Sequence, residues 1–154
     1  MLWQDAADTL RTLVTTPRFG LVTDVDGTIS PIVLNPDDAR VTARNRELLQ
    51  ALGLELPLVA VISGRTAADV HTRVDLPHVR YIGNHGFEQW STERNEAEAV
   101  SEVALFRPAL EQALQALRPL LIPGMRLEDK LWTLSLHYRQ TDDPLRAEDE
   151  YRPI

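Results

Sequence analysis

Three runs of apolar residues have the pattern of buried β-strands, namely Phe19–Thr23, Leu56–Ile62 and His78–Ile82. A strand that is buried on both faces of a parallel sheet has a continuous apolar run rather than an alternating one. Each run ends in small polar residues and a glycine, and helix-forming segments follow the first two. Successive units of strand and helix predict an α/β fold with a Rossmann-like, doubly wound parallel sheet.

Apolar residues at helical spacing predict further elements around these strands. Residues 5–15 form an amphipathic pattern to which we assign a packing role. Residues 41–52 are predicted to be a helix with inward leucines and with Gly53 as its stop. Leucines at near-helical spacing predict another helix within residues 104–120.

The composition changes beyond residue 90. Residues 91–99 are polar and acidic, which favours a linker or an exposed loop, and residues 131–139 alternate between apolar and polar, which predicts a strand with one wet face. The sequence therefore predicts a parallel α/β domain over residues 1–90 and an α+β domain over residues 91–154.

The composition also limits the function classes. A net charge of −7 disfavours attraction to nucleic acid or to an anionic membrane, and the absence of cysteine excludes thiolate chemistry. No apolar stretch approaches the length of a transmembrane helix, and the first residues lack the basic start of a secretory signal, so we expect a cytoplasmic protein. An anionic small substrate would need a metal ion or an arginine to offset its charge.

Two carboxylates one residue apart, Asp24 and Asp26, follow the first apolar run. Side chains alternate along a strand, so both can face one site if the strand geometry persists to Asp26. The mutual repulsion of two close carboxylates raises one pKa, whereas a bound divalent cation favours the ionised form. The pattern favours a ligand site at the carboxyl end of the sheet, and the alternative is a solvated turn.

Two further polar clusters follow the other predicted strands. Ser63 and the backbone of Gly64 are suited to binding a phosphoryl group, although a serine here serves equally well as a helix cap. The loop 83–86 carries an amide and an imidazole between two glycines, and the alternative is a simple turn.

Taken together, five motifs resemble those of the haloacid-dehalogenase-like phosphohydrolases and, within them, of the trehalose-6-phosphate phosphatase family. The resemblance extends from about residue 18 to residue 140; its first two motifs mark the superfamily broadly, and its last three narrow it to the trehalose-phosphate branch. The motifs are Asp24-Val25-Asp26-Gly27-Thr28, Ser63-Gly64-Arg65, Gly83-Asn84-His85-Gly86, Leu127-Glu128-Asp129-Lys130 and Leu136-His137-Tyr138-Arg139.

The resemblance implies a phosphatase mechanism. Asp24 would be the nucleophile that takes the phosphoryl group, and Asp26 would be the general acid and base. A Mg²⁺ ion would bind the Asp24 carboxylate and the Asp26 backbone carbonyl. Ser63 and Gly64 would hold the phosphate.

The resemblance also implies residues that contact the substrate. Arg65, Asn84 and His85 would lie near it, and Glu128 and Lys130 would belong to a cap domain and bind hydroxyls of the sugar. Alternation along a strand places the last two on one face. The alternative interpretation of Glu128 and Lys130 is a solvated surface pair.

The sequence departs from the family in two motifs that follow the cap, a lysine at the phosphoryl site and an acidic cluster on the metal. Neither Lys130 nor Asp142–Asp143 matches them, because both lie within the predicted cap. We therefore expect the chain to be truncated, with weak or no activity alone, and with an incomplete sheet whose unpaired edge favours self-association. The alternatives are a phosphatase of another sugar phosphate and a non-catalytic remnant that binds a sugar phosphate or a partner.

Overall fold

A computed structural model of the chain describes residues 3–16 and 18–151. The chain divides into two compact units, one that ends at Glu98 and one that begins at Ala99. A five-stranded sheet lies in the first unit, apart from the last residue of its last strand, and a two-stranded sheet lies in the second. The assignment of residues 1–90 and 91–154 as two functional domains remains a prediction.

The three predicted strands form the parallel part of the larger sheet. β1 (Leu21–Thr23), β2 (Val59–Ile62) and β3 (Arg80–Gly83) are adjacent in that order, and both pairings are parallel. Val22 pairs with Ala60, and Val61 pairs with Tyr81. The predicted α/β class with a parallel, Rossmann-like sheet is confirmed.

The polar segment after residue 90 is not the loop that its composition favours. β4 (Glu88–Ser91) pairs antiparallel with β3, and β5 (Glu96–Ala99) follows it in the sheet. The prediction of a linker over residues 91–99 was wrong. An alternating Glu-Ala-Glu-Ala sequence suits an edge strand, in which polar side chains remain in contact with water.

Among the described residues, the first unit has three α-helices: α1 (Ala7–Val14), α2 (Ala43–Glu55) and α3 (Ala67–Val74). α2 continues past Gly53, so the predicted stop was wrong. The core consists mainly of β-branched residues, of which Val59 and Val61 come from β2 and Val70 and Val74 from α3. Its buried members are Val25, Ile29, Leu49, Val59, Val61, Val70, Val74, Leu76, Val79 and Tyr81.

The packing role predicted for α1 is not observed. Its three large apolar residues, Leu10, Leu13 and Val14, are between 42% and 49% exposed. No residue of α1 is buried in the part of the chain that the structure describes. Amphipathic spacing therefore identified the helix correctly but not its environment.

The second unit is an α+β arrangement. α4 (Arg107–Leu117) packs on β6 (Arg126–Asp129), and β6 pairs antiparallel with β7 (Leu134–His137). α5 spans Pro144–Tyr151. The predicted helix within residues 104–120 and the predicted strand within residues 131–139 are confirmed. Across residues 3–16 and 18–151, every helix falls short of the length and apolar character needed to cross a membrane.

Candidate active site

An open cleft of about 470 Å³ lies at the carboxyl ends of β1 and β2. Asp24 directly follows β1, Ser63 directly follows β2, and His85 lies in the loop after β3. The topology therefore brings three polar segments of the sequence to the same edge of the sheet. The lining residues are Val22, Thr23, Asp24, Asp26, Ile62, Ser63, Gly64 and His85.

The two aspartates flank a residue that anchors them. Val25 is completely buried, whereas Asp24 and Asp26 on either side of it are exposed and line the cleft. Gly27 then turns the chain with φ of +82°, and its N–H donates to the carbonyl of Ser30 at 2.8 Å. β1 ends at Thr23, so the strand geometry that the sequence interpretation required does not persist to Asp26, yet both aspartates line the cleft.

Ser63 is buried and does not cap α3. Its hydroxyl oxygen accepts a hydrogen bond from the Arg65 N–H at 3.2 Å. Thr66 is the cap residue, because its Oγ1 accepts from the Asp69 N–H at 3.2 Å. The helix-cap alternative for Ser63 was therefore wrong, and its role in phosphate binding remains a prediction.

The loop 83–86 is held against the loop that begins at Ser63. Asn84 is fully buried, with its N–H donating to the Arg65 carbonyl at 2.7 Å, and the N–H of His85 donates to the Ser63 carbonyl at 2.9 Å. Asn84, His85 and Gly86 all have left-handed φ values of 47°, 59° and 107°. This conformation places His85 in the cleft and Asn84 behind it, so the loop is more than a simple turn.

Gly64 leaves room for the His85 ring. A Cβ atom on Gly64 would lie 2.6 Å from Nε2 of His85, so a side chain at this position would displace the imidazole. A glycine at position 64 therefore has a steric reason, the space that the imidazole occupies, in addition to the predicted binding of a phosphate by its backbone.

The Arg65 side chain is bound to two carboxylates, Asp26, which lines the cleft, and Asp69, which does not. Its Nε and Nη2 donate to the two carboxylate oxygens of Asp26, each at 2.8 Å, and Nη1 donates to Asp69 at 3.0 Å. The hydrogen bond with Asp26 raises the pKa of Arg65 despite burial of the guanidinium. The sequence interpretation missed Asp69, for which the four-residue spacing from Arg65 was the available signal.

A trehalose-phosphatase family profile matches residues 22–151, which include every motif named above. The chain belongs to the trehalose-phosphatase family. It is 43% identical over 132 residues to the trehalose-phosphate phosphatase of Mycobacterium ulcerans (strain Agy99), covering 82% of this chain and 32% of that protein. The chain thus spans about a third of the length of the curated relatives it matches.

Solved structures show the same fold. A trehalose-6-phosphate phosphatase related protein superposes with a TM-score of 0.68 at 19% identity, over 87% of this chain and 58% of that chain. The C-terminal domain of the Candida albicans trehalose-6-phosphate phosphatase superposes with a TM-score of 0.65 at 21% identity, over 86% and 50%. These similarities establish the fold.

The family resemblance implies a Mg²⁺ ion, and the donor chemistry of the cleft fits one. The Asp24 carboxylate, which lines the cleft, would repel a phosphate dianion unless a cation lay between them, whereas the Asp26 carboxylate is already paired with Arg65. Mg²⁺ typically uses one or two protein carboxylates together with phosphate oxygens and water. Within residues 3–16 and 18–151, no three His, Cys, Asp or Glu side chains gather as a metal-binding group.

The family residues predicted to contact the sugar lie in the second unit. Glu128 is on β6 and Lys130 follows it, with the Lys130 Nζ 4.0 Å from Glu128 Oε2. His137 on β7, which the sequence interpretation did not select, places its Nε2 2.7 Å from the same oxygen. The Lys130 side chain is only 15% exposed, which argues against a fully solvated pair.

An ion pair fixes the turn that carries Lys130. Arg107 at the start of α4 donates to both carboxylate oxygens of Asp129, at 2.8 and 2.7 Å, and to the Leu131 carbonyl at 2.8 Å. The bidentate hydrogen bond from Arg107 lowers the pKa of Asp129. Leu131 has a left-handed φ of 71°, which these contacts support.

Proposed function

We propose that the complete protein hydrolyses trehalose 6-phosphate to trehalose and phosphate, with Mg²⁺, through an aspartyl phosphate on Asp24. The observation that carries this proposal is the meeting of Asp24, Asp26 and the Ser63–Gly64 loop in one cleft of a trehalose-phosphatase family chain. Relatives that bear the name trehalose-phosphate phosphatase support the choice of substrate.

The proposed reaction has two half reactions. A carboxylate oxygen of Asp24 forms a bond to phosphorus while the bond between phosphorus and the sugar oxygen breaks, and Asp26 gives its proton to that oxygen. Asp26 then takes a proton from water, whose oxygen bonds to phosphorus as the bond to Asp24 breaks. Phosphate leaves, and Asp26 has regained its proton. Bound Mg²⁺ would neutralise charge on the phosphoryl oxygens.

Other residues of the proposal bind and orient the substrate. Ser63 and Gly64 would hold the phosphate, with Asn84 supporting the loop from which His85 reaches the cleft. Within the first unit these groups come from loops that hydrogen-bond to each other. Two side chains of the second unit, Glu128 and Lys130, would bind sugar hydroxyls, so that residues 1–90 are the catalytic core and residues 91–154 are part of a cap domain. We place the reaction in the cytoplasm.

The test uses the complete gene product, read from the DNA through to its stop codon. We expect phosphate release from trehalose 6-phosphate that EDTA abolishes and Mg²⁺ restores. Asp24→Asn should lower the rate on the order of 10³-fold or more, because it removes the nucleophile. Glu47→Gln, which changes an exposed ion pair on α2, is the matched control and should behave as wild type.

Two outcomes would contradict the proposal. Phosphate release that Asp24→Asn leaves intact would exclude the covalent mechanism. Equal rates on unrelated sugar phosphates would exclude the trehalose assignment and favour a phosphatase of broader range.

We also propose that the free edge of β1 supports self-association of the 154-residue chain. β1 is the first strand in the sheet order, and its Leu21 N–H donates inward to the Leu58 carbonyl at 2.9 Å. The backbone groups of Val22 therefore face the opposite edge. An unpaired strand edge is a template for pairing with another chain.

A further inference from the structure

The orientation of Asp26 depends on one arginine. The Arg65 guanidinium faces the Asp26 carboxylate in a bidentate geometry, with both N–H···O distances at 2.8 Å. This pairing fixes the plane of the carboxylate as well as its distance. The Asp26 side chain is 40% exposed. Without the hydrogen bonds from Arg65, contact with solvent would not hold this side chain in one rotamer.

Arg65 is in turn held by a carboxylate that does not line the cleft. Asp69, on the first turn of α3, accepts hydrogen bonds from Arg65 Nη1 at 3.0 Å and from Arg73 Nε at 2.8 Å, both on its Oδ2. The side chains of Arg65 and Arg73 are only 12% and 11% exposed. Asp69 therefore separates two partly buried positive charges that would otherwise repel each other.

The network is anchored to the backbone at both ends. Arg65 Nη2 donates to the Pro36 carbonyl at 2.9 Å, and Arg73 Nη1 donates to the Ala39 carbonyl at 2.6 Å. Both carbonyls belong to the segment that leads from the Asp26 turn to α2. Asp69 thus accepts hydrogen bonds from both arginines, and through these arginines it connects α3 to the segment that follows Asp24 and Asp26.

We propose that Asp69 is a positioning residue for the phosphatase reaction, acting through Arg65 to hold the Asp26 carboxylate in its orientation. Arg65 in this arrangement serves Asp26 rather than the substrate. The inference rests on the proposed function, in which Asp26 gives a proton to the departing sugar oxygen while phosphorus bonds to Asp24. A small misplacement of a catalytic group costs up to about 10²-fold in rate.

The test compares Asp69→Ala with Asp69→Asn in the complete gene product. Asp69→Ala removes the acceptor, and we expect kcat for trehalose 6-phosphate to fall by roughly 10-fold to 100-fold while KM stays within about threefold. Asp69→Asn should recover most of the loss, because both arginines bind a single oxygen that an amide retains. Glu47→Gln is again the control.

A second substrate separates positioning from a structural role. The p-nitrophenolate ion leaves without needing a proton, so the first half reaction with p-nitrophenyl phosphate depends little on the acid. We expect kcat/KM for p-nitrophenyl phosphate to fall in Asp69→Ala by much less than kcat/KM for trehalose 6-phosphate.

Each other outcome overturns the inference. Equal losses on both substrates would assign Asp69 a structural role only, and unchanged kinetics would assign it none. If Asp69→Ala does not fold, Arg73→Gln, which removes the second donor to Asp69 Oδ2, must show the preferential loss on the sugar phosphate, and its absence overturns the inference. A wild-type protein without turnover of trehalose 6-phosphate refutes the proposed function itself, and this inference with it.

Discussion

At the scale of single residues, an alternating chain of charges runs from Asp26 in the cleft through Arg65 and Asp69 to Arg73. Each acid contacts at least one arginine, and Arg65 contacts both acids. Burial tends to raise the pKa of Asp69, but the hydrogen bonds from Arg73 and Arg65 outweigh that effect, so its pKa lies below the ordinary value. The ionised form of Asp69 is therefore part of the folded state.

This lowered pKa predicts how stability depends on pH. Because folded Asp69 binds a proton less readily than unfolded Asp69, its stabilisation is present above the unfolded pKa of about 4 and is lost as the pH falls through the folded pKa. We expect Asp69→Asn to cost about 1 kcal/mol at pH 7, a small value because Asp69 is 36% exposed. The measurement is the urea-derived free energy of unfolding of the 154-residue chain between pH 7 and pH 3.

The difference between wild type and Asp69→Asn should shrink in acid. The exposed pair Arg44–Glu47, tested with Glu47→Gln, should show a difference near zero across the same range. A gap that stays constant or widens below pH 4 would contradict the assignment of an ionised, hydrogen-bonded Asp69.

At the scale of elements, the N-terminus of α3 is already satisfied by two groups. Thr66 caps it, and the buried carboxylate of Glu88 on β4 accepts from the Ala67 N–H at 2.6 Å. Because these two groups satisfy the backbone N–H groups at the start of α3, Ser63 is not needed as a cap and lines the cleft instead. β4, an antiparallel strand that the sequence interpretation did not predict, thus supplies a carboxylate that fixes the helix after the Ser63 loop.

α1 and α3 differ in what they contribute to stability. Leu13 of α1 is 45% exposed, whereas Val70 of α3 is completely buried in the core. We expect Leu13→Ala to cost less than about 0.5 kcal/mol and Val70→Ala about 2 kcal/mol in the unfolding free energy of the 154-residue chain. Comparable losses would mean that α1 packs on a surface in solution.

At the scale of the whole chain, the five-stranded sheet has two outer edges within the described residues, one at β1 and one at β5. Val22 on β1 is 54% exposed. We expect the 154-residue chain to associate with increasing concentration in light scattering, and Val22→Lys to reduce the association, because a charge on an edge strand disfavours pairing.

A matched substitution tests whether the edge or general hydrophobicity is responsible. Leu34 is 93% exposed in a loop, so Leu34→Lys removes an apolar surface without touching β1. Association that responds equally to both substitutions would argue against pairing through the strand edge.

Much of the parallel sheet and the cleft could be predicted from local patterns. Continuous apolar runs identified β1 to β3, and the polar residues at their ends do meet at one edge. The pattern failed at β5, where alternating glutamate and alanine were interpreted as a linker, and at α1, where amphipathic spacing did not indicate exposure. In both cases the neighbouring elements decide whether the segment pairs in a sheet or packs against the core, and the local pattern does not contain that information.

The sequence by itself determined that three apolar runs are the parallel strands, where Asp24 and Asp26 stand, and to which family the motifs point, because these depend on residues a few positions apart. Only the tertiary structure decided that Arg65 holds Asp26, 39 residues away, and that Asp69 separates Arg65 from Arg73. Hydrogen bonds of this kind require side chains from different loops to come within about 3 Å. That proximity is set by the packing of strands and helices, which no local pattern contains.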